Sequence, residues 1–202
     1  MKIIKLLILL LVSCSLSAKA GVVKISGSLK QFGLDRVSMN SDGIAAEVYH
    51  DRTIEIILDS NGRFDLKLKL KQPAYYKVGH NTLYLTPGDD LEIIFNRNTT
   101  KTTFNGKGIE ANNYLRNSAK LSGCEIAKIG RELNEFGLPK EKVSFEVYRY
   151  KVDSIVDASL DALAHLTAVT PEFRELEQIR LEACRLATYL DYFSVGQLSN
   201  YD

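Results

Sequence analysis

Phe64-Asp65-Leu66-Lys67-Leu68-Lys69-Leu70 alternates without a break, with Phe64, Leu66, Leu68 and Leu70 apolar and charges between them. Successive side chains of an extended chain point to opposite faces, so this period of two predicts a strand with one face in a core and one in water. Asp59-Ser60-Asn61-Gly62 precedes it and supplies the positive-φ residues of a hairpin turn. Before that turn, Thr53–Leu58 carries the β-branched enrichment of a half-buried strand. Further strands are predicted at Val22–Leu29, Ala74–Val78, Thr82–Leu85 and Leu91–Phe95, with Gly79-His80-Asn81 as a turn. Short strands at regular spacing, without helices between them, predict an antiparallel β-sandwich or open barrel over residues 21–106.

The chain changes character after Asn105-Gly106-Lys107-Gly108. Ile109–Leu121 and Glu125–Phe136 read as two short helices, ended by Gly123 and by Gly137-Leu138-Pro139. Val152, Ile155, Val156, Leu160, Leu163 and Leu166 then repeat at helical spacing. Val143–Val147 alternates like a strand and leaves the start of that helix open. Thr170 is placed to cap a last helix with Pro171 in its first turn. Leu176, Ile179, Ala183, Ala187 and Leu190 form its expected inner stripe. Two such stripes joined by a short connection predict an antiparallel helical hairpin. The fold class is therefore α+β: a sandwich or open barrel followed by an all-α region over 107–202.

Residues 1–20 read as a secretory signal peptide. Lys2 and Lys5 form a basic start, Leu6–Val12 an apolar run, and Ala18-Lys19-Ala20 a cleavage site. That run falls short of the roughly 20 residues of a membrane span. Leu11-Val12-Ser13-Cys14 also reads as a lipobox, in which cleavage after residue 13 leaves Cys14 lipidated; the shortness of the apolar run favours this version. Either way the expected location is the bacterial envelope, periplasmic or held to the membrane by a lipid anchor.

Cleavage before Gly21 removes Lys2, Lys5 and Lys19 from 26 basic residues, leaving 23 against 25 acidic ones. Such a balance gives no electrostatic footprint for nucleic acid or an anionic membrane surface. An oxidising compartment permits a disulfide between Cys124 and Cys184, but both fall in helical pattern, where cysteine commonly serves as a small buried hydrophobe. Their spacing matches no CxxC redox or zinc motif.

Asp89 and Asp90 stand beside Pro87-Gly88. Neighbours on an extended chain diverge, so the two carboxylates do not suit an acid/base pair, and they lack a calcium-loop pattern. A type II turn with Asp89 solvating its exit is the expectation. His50, His80 and His165 have no metal-ligand spacing, and His165 follows Asp161 by one helical turn as a surface pair. No GxSxG elbow, P-loop or dinucleotide fingerprint occurs. No cofactor and no metal are expected. Tyr75, Tyr76 and Tyr84 form a candidate aromatic platform for a sugar or peptide, set against the ordinary reading as half-buried sheet residues. Tyr148, Tyr150, Tyr189, Tyr192 and Phe193 either pack the hairpin or mark a docking face.

Several short motifs carry a family resemblance: Gly62-Arg63-Phe64, Leu83–Asp89 with its Pro-Gly-Asp turn, Leu91–Phe95, and Phe104-Asn-Gly-Lys-Gly108 running into Glu110–Leu115. The pattern resembles the N-terminal region of TlpA-like, thioredoxin-fold envelope disulfide reductases that carry an added β-sandwich. The resemblance covers most of residues 22–190. It implies a sandwich, a helical transition and a following thioredoxin domain whose WCxxC thiol is the nucleophile. This chain has no tryptophan and no CxxC. The expectation is accordingly the accessory portion alone, from a naturally short homologue or a truncated reading frame: a non-catalytic interaction or scaffold module with an envelope protein as partner. The alternatives are a carbohydrate- or peptide-binding sandwich using the tyrosines, and a redox protein using Cys124 and Cys184.

Overall fold

The computed structural model describes residues 20–41, 53–118, 121–122, 125–126 and 144–198. The leader with Cys14, the expected helix beyond Ile126, and Cys124 lie outside the described residues.

Eight strands build two four-stranded sheets. They are β1 (Gly21–Ser28), β2 (Arg36–Ser41), β3 (Thr53–Ile57), β4 (Arg63–Leu70), β5 (Ala74–Val78), β6 (Asn81–Leu85), β7 (Asp90–Ile94) and β8 (Thr103–Lys107). The first sheet has the order β4-β1-β7-β8 and the second β3-β2-β5-β6. Neighbours are antiparallel except β1 and β7, which run parallel. The chain adopts the sandwich rather than the open barrel. Alternation decides what faces inward: Phe64, Leu68 and Leu70 of β4 are buried, as are Val23 and Ile25 of β1 and Leu91 and Ile93 of β7. These pack on Met39, Ile56, Tyr76, Val78, Leu83 and Leu85 of the other sheet in one core.

The Pro-Gly turn forms as expected, with the Asp89 N–H donating to Thr86 O at 3.0 Å and Gly88 at φ 90°. The expected role of Asp89 is corrected. It does not solvate the turn's exit; it is 5% exposed, and its Oδ2 accepts the Thr86 N–H at 2.7 Å. Asp90 points the other way and forms an exposed ion pair with Lys24 at 3.4 Å.

Helix α1 (Ile109–Asn117) stops earlier than its apolar pattern predicts. Ser118 turns extended, and Leu121–Ser122 (β9) pairs with Glu125–Ile126 (β10) instead of continuing or starting a helix. Helix α2 (Phe145–Ala164) begins after Ser144, whose hydroxyl accepts the Val147 N–H, so the described part of the alternating stretch, Ser144–Val147, forms a capped helix start. Helix α3 (Pro171–Leu198) begins as expected, with Thr170 Oγ1 accepting the Phe173 N–H at 3.1 Å.

α2 and α3 form the antiparallel hairpin. Tyr148 meets Thr188, Arg185 pairs with Asp153 and Asp157, and Arg174 donates to Leu163 O and Ala164 O. The stripe of α2 packs as expected, with Val152, Val156 and Leu163 buried. The stripe assigned to α3 is corrected: Leu176, Ile179 and Leu190 are exposed. The buried row is Phe173, Glu177, Leu181, Cys184 and Thr188. Two polar residues stand in that row, and each is satisfied there: Glu177 by side chains, and Thr188 through a hydroxyl that donates to Cys184 O at 2.6 Å. An apolar-periodicity argument therefore selects the wrong face.

Candidate functional site

The chemistry-bearing residues converge where the helices meet the outer face of the second sheet. Tyr75 and Tyr84 lie directly opposite one another on β5 and β6, with ring centroids 5.0 Å apart. Phe173, in the first turn of α3, stacks on Tyr84 at 4.7 Å, and Tyr114 of α1 meets Phe173 edge-on at 6.0 Å. The Tyr114 hydroxyl donates to Ser159 O of α2 at 2.9 Å. One aromatic stack thus binds a sheet to three helices.

Of the three candidate platform tyrosines, Tyr75 and Tyr84 come together and Tyr76 does not. Adjacent strand residues face opposite ways, so Tyr76 enters the sandwich core, where it borders a cleft of about 570 Å³ with Leu68 and Leu70. Tyr75 and Tyr84 are covered by the helices. The three side chains share no concave face.

A charged cluster that sequence reasoning missed sits at the centre. Glu177 is completely buried on α3. It accepts the Tyr75 hydroxyl at 2.9 Å, the Arg180 Nε–H at 2.7 Å and a second guanidinium N–H of Arg180. The Arg180 guanidinium also lies 5.3 Å from the Tyr75 ring centroid, in cation–π range. Burial costs an isolated carboxylate heavily, and these three bonds offset that cost. The available signal was the i, i+3 spacing of Glu177 and Arg180, which ordinarily marks a surface pair.

The electrostatics follow from burial. Tyr75 is pushed far above its ordinary pKa, first by desolvation and then by the negative charge of Glu177. Burial pulls Arg180 down, but the hydrogen bond and charge of Glu177 outweigh it and leave Arg180 raised. Tyr84 rises to about 12, by burial first and then by Glu172. Thr170 and Thr86 lie close enough to the Tyr84 hydroxyl to oppose that rise, but among the described residues the buried hydroxyl has no partner in hydrogen-bonding geometry. This arrangement clamps α3 to the sheet through Tyr75, Glu177 and Arg180.

A second joint lies beside it. Asn112 of α1 is fully buried, and its Oδ1 accepts the Tyr84 N–H at 2.9 Å. Its Nδ2 donates to Tyr84 O at 3.0 Å and to Gly108 O at 2.9 Å. Gly108 opens α1 at φ 95°, and a Cβ there would lie 2.9 Å from Asp89 Cγ. The Pro-Gly-Asp turn and the Gly-x-Gly-x-x-x-Asn transition therefore meet at one point, and their side chains are occupied in holding α1 to the sheet.

Tyr148 is buried and Tyr189 half-buried in the hairpin, the latter bonding Asp153, whereas Tyr150 and Phe193 are exposed. His165 pairs with Asp161 at 3.7 Å on the surface, as expected. Cys184 is buried against Val152, Val156 and Leu181, and its expected partner Cys124 lies outside the described residues. Among the described residues no three His, Cys, Asp or Glu side chains gather as metal ligands, and no helix is long and apolar enough to cross a membrane. Comparison with protein-family models, with curated proteins and with solved structures found no match to this chain.

Proposed function

We propose that this chain is a non-catalytic module of the bacterial envelope that displays a helical face for protein contact. In this reading it corresponds to the accessory N-terminal half of a TlpA-like disulfide reductase. The observation that carries it is the outer face of α3, where Leu176, Ile179, Leu186 and Leu190 are exposed while the opposite face packs on α2 and, through Phe173 and Glu177, on the sheet. A large exposed apolar patch on a well-ordered element is the usual mark of an interaction site. The joints support this reading, because Asp89, Gly108, Asn112, Tyr75 and Glu177 act on one another rather than on an open cleft.

A benzophenone amino acid in place of Glu175, which is exposed beside that face, tests it. Photolysis in intact envelopes is expected to give discrete protein adducts, with none from the same probe at Lys67 on the sandwich. Equal labelling at both positions, or none at either, refutes the reading. The envelope anchor is tested separately by palmitate incorporation, which is expected to vanish in Cys14→Ala; no label in the parent protein refutes lipidation.

A further inference from the structure

β3 and β4 follow one another in the chain but belong to different sheets, and each is an edge strand of its own sheet. The direction of the free edge of β4 is fixed by its first residue. The Arg63 N–H donates to Asp59 Oδ1 at 2.8 Å, and the Arg63 C=O accepts the Asp59 N–H at 2.9 Å, so both groups point away from β1. Backbone groups alternate in direction along an antiparallel strand, and the register with β1 runs unbroken from Arg63 to Leu70. Asp65, Lys67 and Lys69 therefore also turn their N–H and C=O away from β1. Lys24 has the matching phase: it stands opposite Lys67 yet gives its own N–H to Asp89 O at 2.9 Å, on its far side.

A cleft of about 570 Å³ lies at the Leu70 end of this edge, where the chain crosses from β4 to β5. That volume is in the range of small-molecule sites. Ile54, Leu68, Leu70, Ala74 and Tyr76 form an apolar wall drawn from both sheets. Lys69 is exposed and stands between two inward leucines, so its side chain belongs to the outer face of the sheet. What it brings to the cleft is the N–H and C=O that β1 leaves unpaired. Lys71 and Gln72 complete the rim, so both charged residues of the lining are lysines, and no carboxylate stands among the described residues that form it. We propose that this cleft binds a single-chain acyl carboxylate, its alkyl chain against Leu68, Leu70 and Tyr76 and its head at the Lys69 N–H and the Lys71 ammonium. Burial of the chain supplies most of the affinity, and the exposed lysine sets the sign of the head. A sugar fits worse, because its hydroxyls would be desolvated against aliphatic side chains. Tyr76, separated by the pleat from the other two tyrosines, thus has a ligand wall of its own.

Calorimetric titration of the purified exported protein with decanoate, below micelle formation, is the test. Binding with a dissociation constant on the order of 100 μM is expected. Decyltrimethylammonium, with the same chain and the opposite charge, is expected to bind at least about fivefold more weakly. Lys71→Glu is expected to weaken decanoate about three- to tenfold and, at an exposed position, to keep the melting profile of the parent. Ala74→Phe fills the cleft and is expected to abolish binding. Should Ala74→Phe fail to fold, methyl resonances locate the ligand in the parent protein. Those of Ile54, Leu68 and Leu70 are expected to shift with decanoate, and those of Leu176, Ile179, Leu186 and Leu190 to stay in place. No binding up to roughly 5 mM overturns the proposal, as does equal binding of the two head groups. Shifts confined to the α3 residues overturn it too, because they mean adsorption to the outer face of that helix in place of entry into the cleft.

Discussion

Asn112 takes the place of a neighbouring strand for Tyr84. Its carboxamide bonds both the N–H and the C=O of that residue, on a strand at the edge of its sheet. An open edge leaves backbone groups unpaired, and here a side chain from α1 supplies both partners. Asn112→Ala orphans two buried backbone groups and is expected to cost about 2–4 kcal/mol. Asn112→Asp is expected to cost at least as much, because a carboxylate oxygen then faces Tyr84 O and Gly108 O with no proton to share. Urea unfolding of both variants checks this; a loss below about 0.5 kcal/mol for Asn112→Ala shows that the clamp contributes nothing.

The two stacked tyrosines are expected to respond in opposite ways to loss of a hydroxyl. Tyr75→Phe removes a bond to a fully buried carboxylate and leaves Glu177 with Arg180 alone, a loss of about 1.5–3 kcal/mol. Tyr84→Phe removes a hydroxyl that is buried without a hydrogen-bond partner, while keeping the ring against Tyr75 and Phe173. It is expected to be neutral or stabilising. Paired thermal melts decide between these outcomes, and equal destabilisation by both substitutions contradicts the assignment of partners.

Burial also makes the fold sensitive to alkali. Tyr75, Tyr84, Tyr114 and Tyr189 are all raised from 10.0, chiefly by desolvation, Tyr84 and Tyr189 to about 12. The folded state holds these protons more tightly than the unfolded chain. Their contribution to stability is therefore complete below pH 10 and declines as pH rises through the folded values. Ultraviolet titration is expected to show these groups ionising together with loss of circular dichroism. Smooth ionisation near pH 10 with the dichroism intact contradicts it.

The strands that alternate strictly were legible in the sequence because the alternation is itself the burial pattern, as Phe64, Leu68 and Leu70 show. β2 and β8 were not legible. Met39 and Phe104 are the buried core residues of these strands; in β2 Val37 adds only partial burial, and the other residues of both strands are polar, charged or glycine. The inner row of α3 was hidden for a different reason. Glu177 and Thr188 look like surface residues: their partners Arg180 and the Cys184 carbonyl lie on the same helix, as they do in exposed helices, and Tyr75, the partner that encloses Glu177, arrives only when the helix docks on the sheet. Meanwhile the outer row is the more apolar one, which makes it resemble a core face.

The site was legible only in fragments. Asp89, Gly108, Asn112 and Tyr114 stand out as short motif residues, but what joins them depends on where the edge of the second sheet falls, and no local pattern encodes that position. Tyr75, Tyr76 and Tyr84 were read together as one platform, whereas the pleat places Tyr76 on the opposite face from Tyr75 and Tyr84, which pair across β5 and β6. Charged residues at helical spacing look the same whether exposed, like Asp161 and His165, or enclosed, like Glu177 and Arg180.

Asp89 gives a dependence on acid with the opposite sign from that of an ordinary ion-paired carboxylate. Its pKa is raised from 3.8 by burial, with the Thr86 N–H and the Lys107 charge opposing. The folded state therefore binds this proton more tightly than the unfolded chain, and the associated stability is complete below pH 3.8 and declines as pH rises through the folded value. Asp89→Asn keeps an oxygen for the Thr86 N–H while removing the buried charge. Unfolding midpoints measured at intervals over roughly pH 3 to 6 are expected to show the variant gaining on the parent as pH rises. A difference that stays flat, or that moves in favour of the parent at higher pH, shows that the Thr86 bond and Lys107 outweigh burial, and that Asp89 holds the turn as a stabilised anion.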